Sequence, residues 1–292
     1  MNDNSATTDS APPEDTPDLE RRFGGLRRLY GHAAYERLRA LRIAVVGLGG
    51  VGSWAVEALA RSGVAELVLI DMDHVAESNI NRQIQATGAT LGMGKGQALA
   101  QRVADIHPGC TVHLVDEFVD ATNWPGLLPG PVDALIDACD QVRAKAAMAA
   151  WALQERVSLV CCGAAGGKRH AERLDIADLA AVTHDPLLAS LRQRLRREHG
   201  ATKAGQGAIG VRCVFSRESV APPEPDEAAC EVGDEPGTDA AEARRDNTLN
   251  CHGYGSAVTV TASFGFAAAG ETLALCLAQH ASFQSRKSHD MI

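Results

Sequence analysis

Short apolar runs alternate with amphipathic stretches through most of this chain. Apolar runs of strand length lie at 43–46, 67–70, 111–115, 132–136 and 157–161, and stretches with helical periodicity lie at 53–61, 95–107 and 141–155. Strands that alternate with helices are typical of a doubly wound sheet. The pattern therefore predicts an α/β fold with a doubly wound, mostly parallel sheet, a ligand site at the carboxyl ends of the strands, and a C-terminal antiparallel and helical extension.

The apolar stretch at 257–278 is long enough to be mistaken for a membrane span. Its glycines, its threonines and the charged Glu271 make it weakly hydrophobic, and its N-terminal half has a strand-like or mixed pattern. We interpret it as a core helix packed on the sheet, next to a dimer interface. The sequence predicts no integral membrane span and leaves peripheral membrane association open.

Composition favours one catalytic domain. The 292 residues are 45% hydrophobic, which is enough to build a sizeable core, and no linker divides the middle of the chain. Residues 1–20 are small, polar and acidic, so they are predicted to form a disordered tail. The same character predicts a mobile acidic loop at about 219–247, within a single domain of residues 21–292.

Cysteine spacing limits the metal chemistry. The chain has eight cysteines but no CxxC pair, and the adjacent Cys161 and Cys162 are predicted to point to opposite faces of a strand. Structural zinc is therefore not expected. The N-terminal residues have no secretion signal, so the reducing cytoplasm is the predicted location.

A glycine-rich turn (GLGGVG, 47–52) joins the first predicted strand to the first predicted helix. Glycines let the backbone approach a phosphate, whose charge the free N–H groups of the helix start attract. An acidic residue at the end of the next strand can accept hydrogen bonds from a ribose, in a Rossmann-like arrangement shared by many dinucleotide enzymes. The predicted nucleotide-binding residues of this unit are Gly47, Gly49, Gly50, Gly52, Asp71 and Asp73.

The segment after the second predicted strand indicates which class of nucleotide-binding enzyme the chain resembles. Residues 78–83 (SNINRQ), with the turn and residues 71–73 (DMD), resemble the ubiquitin-activating-enzyme-like (ThiF-type) adenylyltransferases. The resemblance implies ATP, with Asn79 and Arg82 reaching its triphosphate. A carboxylate that attacks the α-phosphate must overcome charge repulsion, so fixed cations are needed there. Arg82 and Lys95 are the candidate catalytic cations: either residue alone is more typical of a solvated surface, but the whole set of motifs favours adenylyl transfer.

A pair of carboxylates follows the predicted strand at 132–136. Asp137 and Asp140 lie at or just past its end, where a carboxylate can hold the Mg²⁺ that accompanies ATP. A helix N-cap is the alternative role for Asp140. With the DxxD resemblance to the superfamily, Asp140 is the predicted magnesium ligand and a catalytic residue, and Asp137 lies behind it.

Further motifs resemble a narrower family. Residues 22–25 (RFGG), 28–31 (RLYG), 162–167 (CGAAGG), 185–188 (DPLL) and 253–256 (GYGS) look like those of the tRNA threonylcarbamoyladenosine dehydratases, a likeness that covers 22–278. That family uses ATP to cyclise a threonylcarbamoyl group on the adenosine beside the anticodon. The resemblance implies a tRNA carrying threonylcarbamoyladenosine as substrate, ATP and Mg²⁺, and a homodimer. It leaves open a monovalent cation and a cysteine desulfurase or sulfur-acceptor system as partner.

The N-terminal arginines depart from the superfamily pattern. Many members begin with R-Y-x-R-Q and lend the second arginine to the partner's ATP, but the aligned position here is Gly25. Arg22 is therefore the predicted arginine that reaches ATP across the dimer, with Arg27 and Arg28 as other candidates. A solvated amphipathic helix is the alternative.

The two candidate reactions differ in whether they need a nucleophilic cysteine of the enzyme. Ring closure needs none from the enzyme, because the activated carboxylate and the attacking group share one substituent. The alternative function, activation of the C-terminal glycine of a ubiquitin-like sulfur carrier, needs a low-pKa cysteine if a thioester forms. Cys251, beside His252, is the candidate, and a structural thiol is the other interpretation. A non-catalytic NAD-binding module is a third hypothesis, which residues 78–83 disfavour.

A basic segment is the candidate surface for tRNA. The net charge is −9, with the acidic residues concentrated in the tail and loop, whereas 191–203 (LRQRLRREHGATK) is basic. A local basic face is sufficient for phosphate contacts, and a solvated helix is the alternative. The candidate residues are Arg192, Arg194, Arg196, Arg197 and Lys203, with Arg217 beyond them.

Overall fold

A computed structural model of the chain describes residues 17–221 and 254–289, with 279–289 by backbone alone. Its helices are α1 (Leu19–Tyr30), α2 (His32–Leu38), α3 (Gly52–Arg61), α4 (Lys95–Ile106), α5 (Val142–Glu155), α6 (Pro186–Glu198) and α7 (Val258–His289). Its strands are β1 (Arg42–Val46), β2 (Glu66–Ile70), β3 (Thr111–Val115), β4 (Ala134–Asp137), β5 (Ser158–Cys162), β6 (Leu174–Asp178) and β7 (Arg212–Ser216).

Within the described ranges these strands form one sheet, in the order β3-β2-β1-β4-β5-β7-β6. Neighbouring strands are parallel except β6, which runs antiparallel to β7. Strands β2 and β3 lie on one side of β1, and β4 and the later strands lie on the other side. The strand order therefore reverses between β1 and β4, and ligands bind at such switch points. The predicted doubly wound α/β fold and its antiparallel, helical C-terminal extension are confirmed.

Side chains of the strands alternate between two cores, because successive residues of a strand point to opposite faces. Ile43 and Val45 join the core beneath α2, α3, α4 and α7, whereas Val46 joins the core beneath α5 and α6. Cys162 and Cys161 separate in the same way, as predicted. The sheet is covered on both faces, which is usual for parallel strands.

The predicted strands and helices between 43 and 162 agree with the observed ones to within two residues at each end. Residues 1–16 of the predicted tail lie outside the described residues, but α1 already begins at Leu19, where the Asp18 side chain accepts a hydrogen bond from the N–H of Arg21. The predicted acidic loop lies outside the described residues except for 219–221.

The last helix packs tightly on α3. It is helical from Val258 onward, so the strand-like or mixed pattern predicted for its N-terminal half is wrong, and the core helix is confirmed. A Cβ on Gly265 would lie 2.5 Å from the Val51 carbonyl oxygen and 2.7 Å from Trp54 Cβ, so glycine is what permits the contact. Among the described residues, Val258–Ala278 is long and apolar enough to cross a membrane, but half of it is buried in the protein.

Replacing Gly265 with Ala should lower the free energy of unfolding by about 1–3 kcal/mol, because the added methyl group must push α7 away from α3. Gly270 on the same helix is the matched control, since a Cβ there meets nothing within 4 Å. Gly270→Ala should instead stabilise the helix by up to about 1 kcal/mol. Urea denaturation measures both changes, and a neutral Gly265→Ala would contradict the tight α3–α7 contact.

Candidate functional site

A pocket of about 370 Å³ opens at the switch point between β1 and β4. Its walls come from the turns after β1, β2, β3, β4 and β5, from the segment 74–83, and from the residues before α7. All but two of the residues predicted to bind nucleotide line it; they are Gly47, Gly49, Gly50, Asp71, Asp73, Asn79, Arg82, Lys95 and Asp140. The two exceptions are Gly52 and Arg22.

The glycine-rich turn is shaped by close backbone contacts. Gly47 has a φ of +84°, and a Cβ there would lie 2.9 Å from the Ala138 carbonyl oxygen in the turn after β4. A Cβ on Gly52 would lie 1.8 Å from the Gly47 carbonyl oxygen. Gly52 does not line the pocket and lets α3 begin directly against the turn, and its predicted contact with the nucleotide stays a prediction.

Asp71 is tied to the glycine-rich turn by its own carboxylate. One oxygen accepts a hydrogen bond from the N–H of Leu48 at 2.7 Å, and the other accepts from the N–H of Asp73 at 2.8 Å. Burial raises the pKa of Asp71 above its usual value, opposed by Lys95 and by these N–H groups. A carboxylate fixed at this edge of the pocket is well placed to accept hydrogen bonds from a ribose.

Arg82 lies across the glycine-rich turn. Its Cγ and Cδ are each 3.3 Å from where a Cβ on Gly50 would be, so glycine leaves room for the arginine stem. Its backbone carbonyl accepts a hydrogen bond from Trp54 Nε1 at 3.0 Å, and its guanidinium donates to the Ser78 carbonyl at 2.7 Å. The segment thus presents a half-buried cation beside the turn that is expected to bind phosphates.

Lys95 is the first residue of α4, and its side chain is only 8% exposed. Its Nζ lies 2.6 Å from Asp73 Oδ2, and its N–H donates to the Asp73 carbonyl at 2.9 Å. This burial rules out the alternative of a solvated lysine. Asn79 is also buried, and its Oδ1 accepts from the N–H of Ala76 at 3.0 Å, which holds the turn before Arg82.

Asp140 lines the pocket in the turn between β4 and α5. The N-cap of α5 is Gln141, so Asp140 does not have the alternative capping role. Among the described residues no hydrogen-bonding partner approaches the Asp140 carboxylate. A single unpaired carboxylate in the same pocket as the glycine-rich turn fits Mg²⁺, which takes few protein oxygens and completes its coordination with phosphates and water. In the same ranges no group of three or more His, Cys, Asp or Glu side chains comes together.

Cys139 is the one cysteine that lines the pocket in the described part of the chain. Its Sγ donates to Asp137 Oδ1 at 3.0 Å. Burial and the Asp137 carboxylate raise the pKa of the Cys139 thiol well above its usual value. A protonated thiol is a poor nucleophile, so Cys139 is not suited to thioester formation. Cys251 and His252 lie outside the described residues.

A second turn of small residues, 163–166, follows β5 and forms another wall. Asp185 accepts a hydrogen bond from the N–H of Ala164 at 2.8 Å and caps α6 through the N–H of Leu188 at 2.9 Å. A Cβ on Gly163 would lie 2.2 Å from Asp185 Oδ2, so the turn requires glycine at this position. One buried carboxylate therefore joins the start of α6 to the pocket.

Sequence reasoning missed several lining residues, among them Phe118, Tyr254 and Ser256. Phe118 is 53% exposed just after β3, and an aromatic residue at a strand's carboxyl end is the signal that points to it. The Ser256 carbonyl accepts a hydrogen bond from Asn81 Nδ2 at 3.0 Å. The segment before α7 is thereby joined to 78–83, a contact that no local pattern indicates.

Arg22 lies away from this pocket. Its guanidinium donates to the carbonyls of Asp105 and Ile106, at 2.7 Å each, at the end of α4. Helix C-termini carry unpaired carbonyls and partial negative charge, which a cation stabilises. Within one chain Arg22 therefore caps α4, and its contact with a partner's ATP stays a prediction.

The basic residues of α6 are largely engaged within the protein. Arg192 donates to two backbone carbonyls of the segment before α6, at 3.0 and 2.9 Å. Arg194 and Arg197 both pair with Glu198, at 2.7 and 2.6 Å, and Arg196 donates to a nearby carbonyl at 2.9 Å. Arg192 is thus a structural anchor, whereas the remaining arginines still form a surface with more positive than negative charge.

Known proteins resemble this chain over most of its length. The ThiF family model matches residues 22–290. The tRNA threonylcarbamoyladenosine dehydratase of Escherichia coli (strain K12) is 41% identical over 262 residues, which are 89% of this chain and 95% of that protein. The Haemophilus influenzae enzyme of the same name is 39% identical over 85% of this chain and 90% of its own. The crystal structure of the E. coli enzyme in complex with ATP superposes with a TM-score of 0.78 at 39% identity, covering 90% of this chain and 96% of that chain.

Proposed function

The chain belongs to the ThiF family, and on that basis we propose that it uses ATP to cyclise N6-threonylcarbamoyladenosine next to the anticodon of tRNA. The observation that carries this proposal is the convergence of Arg82, Lys95 and Asp140 on one pocket beside the glycine-rich turn. The near-complete coverage of the E. coli and H. influenzae dehydratases supports the same reaction.

The first step activates the substrate carboxylate. A carboxylate oxygen attacks the α-phosphorus of ATP, a new P–O bond forms, and the bond to pyrophosphate breaks. Negative charge gathers on the phosphate oxygens, where Arg82 and Lys95 can offset it at no cost in reorganisation because both are already held in place. Asp140 would hold the Mg²⁺, which would supply positive charge beside the phosphates.

The second step closes the ring. A nitrogen or oxygen of the same substituent attacks the acyl carbon, the bond to AMP breaks, and a proton is lost. Because both groups belong to one substituent, the effective concentration is very high and no enzymic nucleophile is required. The elements of water removed from the substrate are accounted for by AMP and pyrophosphate.

Activation of a sulfur-carrier protein is not favoured as the function. The relatives that match nearly the full chain are named as tRNA-modifying dehydratases. In the described part of the pocket, Cys139 is a protonated thiol that is hydrogen-bonded to Asp137, not a reactive thiolate.

The proposal also includes a homodimer and a location in the cytoplasm. The proposed homodimer rests on the family resemblance. A tRNA substrate is consistent with the cytoplasm. The monovalent cation and the sulfur-transfer partner stay predictions.

The direct test is to incubate tRNA carrying N6-threonylcarbamoyladenosine with the protein, ATP and Mg²⁺, and to analyse its nucleosides by mass spectrometry under mild conditions. The modified nucleoside should become lighter by one water, with AMP and pyrophosphate released in equal amounts. A sulfur-carrier protein with a C-terminal glycine, supplied in place of tRNA, should give no acyl-adenylate. An unchanged nucleoside together with an adenylylated carrier would overturn the proposal.

Arg82→Ala, Lys95→Ala and Asp140→Ala should each lower turnover in this assay at least tenfold, about 1.4 kcal/mol of transition-state stabilisation. The matched control is Asp116→Asn, an exposed residue of the neighbouring segment that does not line the pocket. Thermal unfolding should show that the variants remain folded. Near-normal turnover in all three pocket variants would refute the site.

Changing Arg194, Arg196 and Arg197 together to Glu should weaken tRNA binding and flatten its dependence on salt, because fewer condensed counterions are released. Glu198→Gln offers the opposite change, since it frees Arg194 and Arg197 from their ion pairs and should strengthen binding. Fluorescence anisotropy over a series of salt concentrations measures both, with ATP affinity as the control. If neither variant alters the salt dependence, α6 does not contact tRNA phosphates.

A further inference from the structure

A fully buried ion pair lies directly behind the pocket. Lys145 on α5 and Asp137 at the end of β4 have no solvent exposure, and the Lys145 Nζ lies 3.0 Å from Asp137 Oδ1. Burial by itself would lower the pKa of Lys145, but the Asp137 carboxylate outweighs this effect and the pKa is raised. The lysine therefore stays charged inside the core. Such a pair is often no more stable than apolar residues of the same volume, so its presence calls for a reason other than stability.

The Lys145 ammonium joins the ends of two strands. Besides the Asp137 carboxylate, it donates to the Cys162 carbonyl at 2.8 Å and, at 3.4 Å, to the Asp137 carbonyl. Asp137 is the last residue of β4 and Cys162 the last of β5. Beyond these residues the chain forms the turn that carries Asp140 and the small-residue turn at 163–166, which are two walls of the pocket.

The Asp137 carboxylate continues this network into the pocket. Its Oδ1 accepts a hydrogen bond from the N–H of Cys139 at 3.2 Å, and its Oδ2 accepts from the Cys161 thiol at 3.2 Å. Cys139 immediately precedes Asp140, whose own carboxylate meets no hydrogen-bonding partner among the described residues. Asp137 therefore holds the stretch of backbone from which the Asp140 side chain extends.

We propose that Lys145, through Asp137, is a positioning residue that fixes Asp140 and the turn at 163–166 relative to each other. Lys145 is fully buried and does not line the pocket, so it acts through its neighbours. It affects the reaction through the position of Asp140, the proposed magnesium ligand. In this respect the inference rests on the proposed function. The chemistry it serves is the binding of a divalent cation beside the triphosphate.

The test must separate positioning from stability. Lys145→Met alone would leave an uncompensated buried carboxylate and risks unfolding. The double variant Asp137→Asn with Lys145→Met removes both charges, and Asp137→Asn with Lys145→Gln replaces the pair by two amides should the first variant not fold. Met148→Ala is the matched control, because Met148 is fully buried on the same helix but does not line the pocket.

The readout is binding of Mn²⁺, a paramagnetic substitute for Mg²⁺, measured by electron paramagnetic resonance in the presence of a non-hydrolysable ATP analogue. The neutral double variant should bind Mn²⁺ at least tenfold more weakly than the unmodified chain, close to Asp140→Asn, while binding AMP within about twofold as tightly, since AMP needs no divalent cation. Met148→Ala should lose thermal stability and keep its Mn²⁺ affinity. Pyrophosphate release should require correspondingly more Mg²⁺ in the double variant.

A folded double variant with unaltered Mn²⁺ affinity would overturn the inference. An equal loss in Met148→Ala would also overturn it, because the pair would then act only through stability. Failure of the proposed function is a separate result: it would appear as an unmodified chain that binds Mn²⁺ and the ATP analogue but does not change the nucleoside.

Discussion

The close approach of the turns after β1 and β4 is the constraint on which the pocket depends. At Gly47 a side chain would lie 2.9 Å from backbone atoms of Ala138 and Cys139, and at Gly52 it would lie 1.8 Å from the Gly47 carbonyl oxygen. Because β1 and β4 are neighbouring parallel strands on either side of the switch point, their carboxyl ends open a crevice only if these turns pass without side chains between them. The glycines are therefore required for backbone packing, apart from the phosphate binding that is proposed for them.

The charged side chains of the pocket are fixed by contacts within the protein. Lys95 is paired with Asp73, Arg82 is bonded to its own turn, and Asp71 receives two N–H groups. Fixed groups need not reorganise when negative charge develops on a phosphate, and they act more strongly where water is partly excluded. The buried pair of Lys145 and Asp137 extends this arrangement behind the pocket, where the ends of β4 and β5 meet.

Two arginines that the sequence suggested for binding ATP or tRNA instead bind backbone carbonyls within the protein. Arg22 caps α4, and Arg192 anchors the segment before α6 through two carbonyls. A guanidinium presents several donors in a fixed plane, which suits carbonyl pairs of this kind as well as phosphates. A run of arginines therefore indicates positive charge but does not reveal which side chains stay available for nucleic acid.

The sequence predicted the alternation of strands and helices, the glycine-rich turn, and nine of the residues that line the pocket. These features follow from local patterns. Short apolar runs indicate buried strands, glycine permits two backbone segments to approach closely, and the carboxyl ends of parallel strands meet at one edge of the sheet. Tertiary packing brings Gly52 against Gly47, buries Lys95 against Asp73, and places Phe118 and Ser256 in the pocket wall. It also brought Lys145 to the carbonyl of Cys162. Such contacts join residues far apart in the chain, and their geometry depends on how the helices and strands pack, which no local spacing specifies.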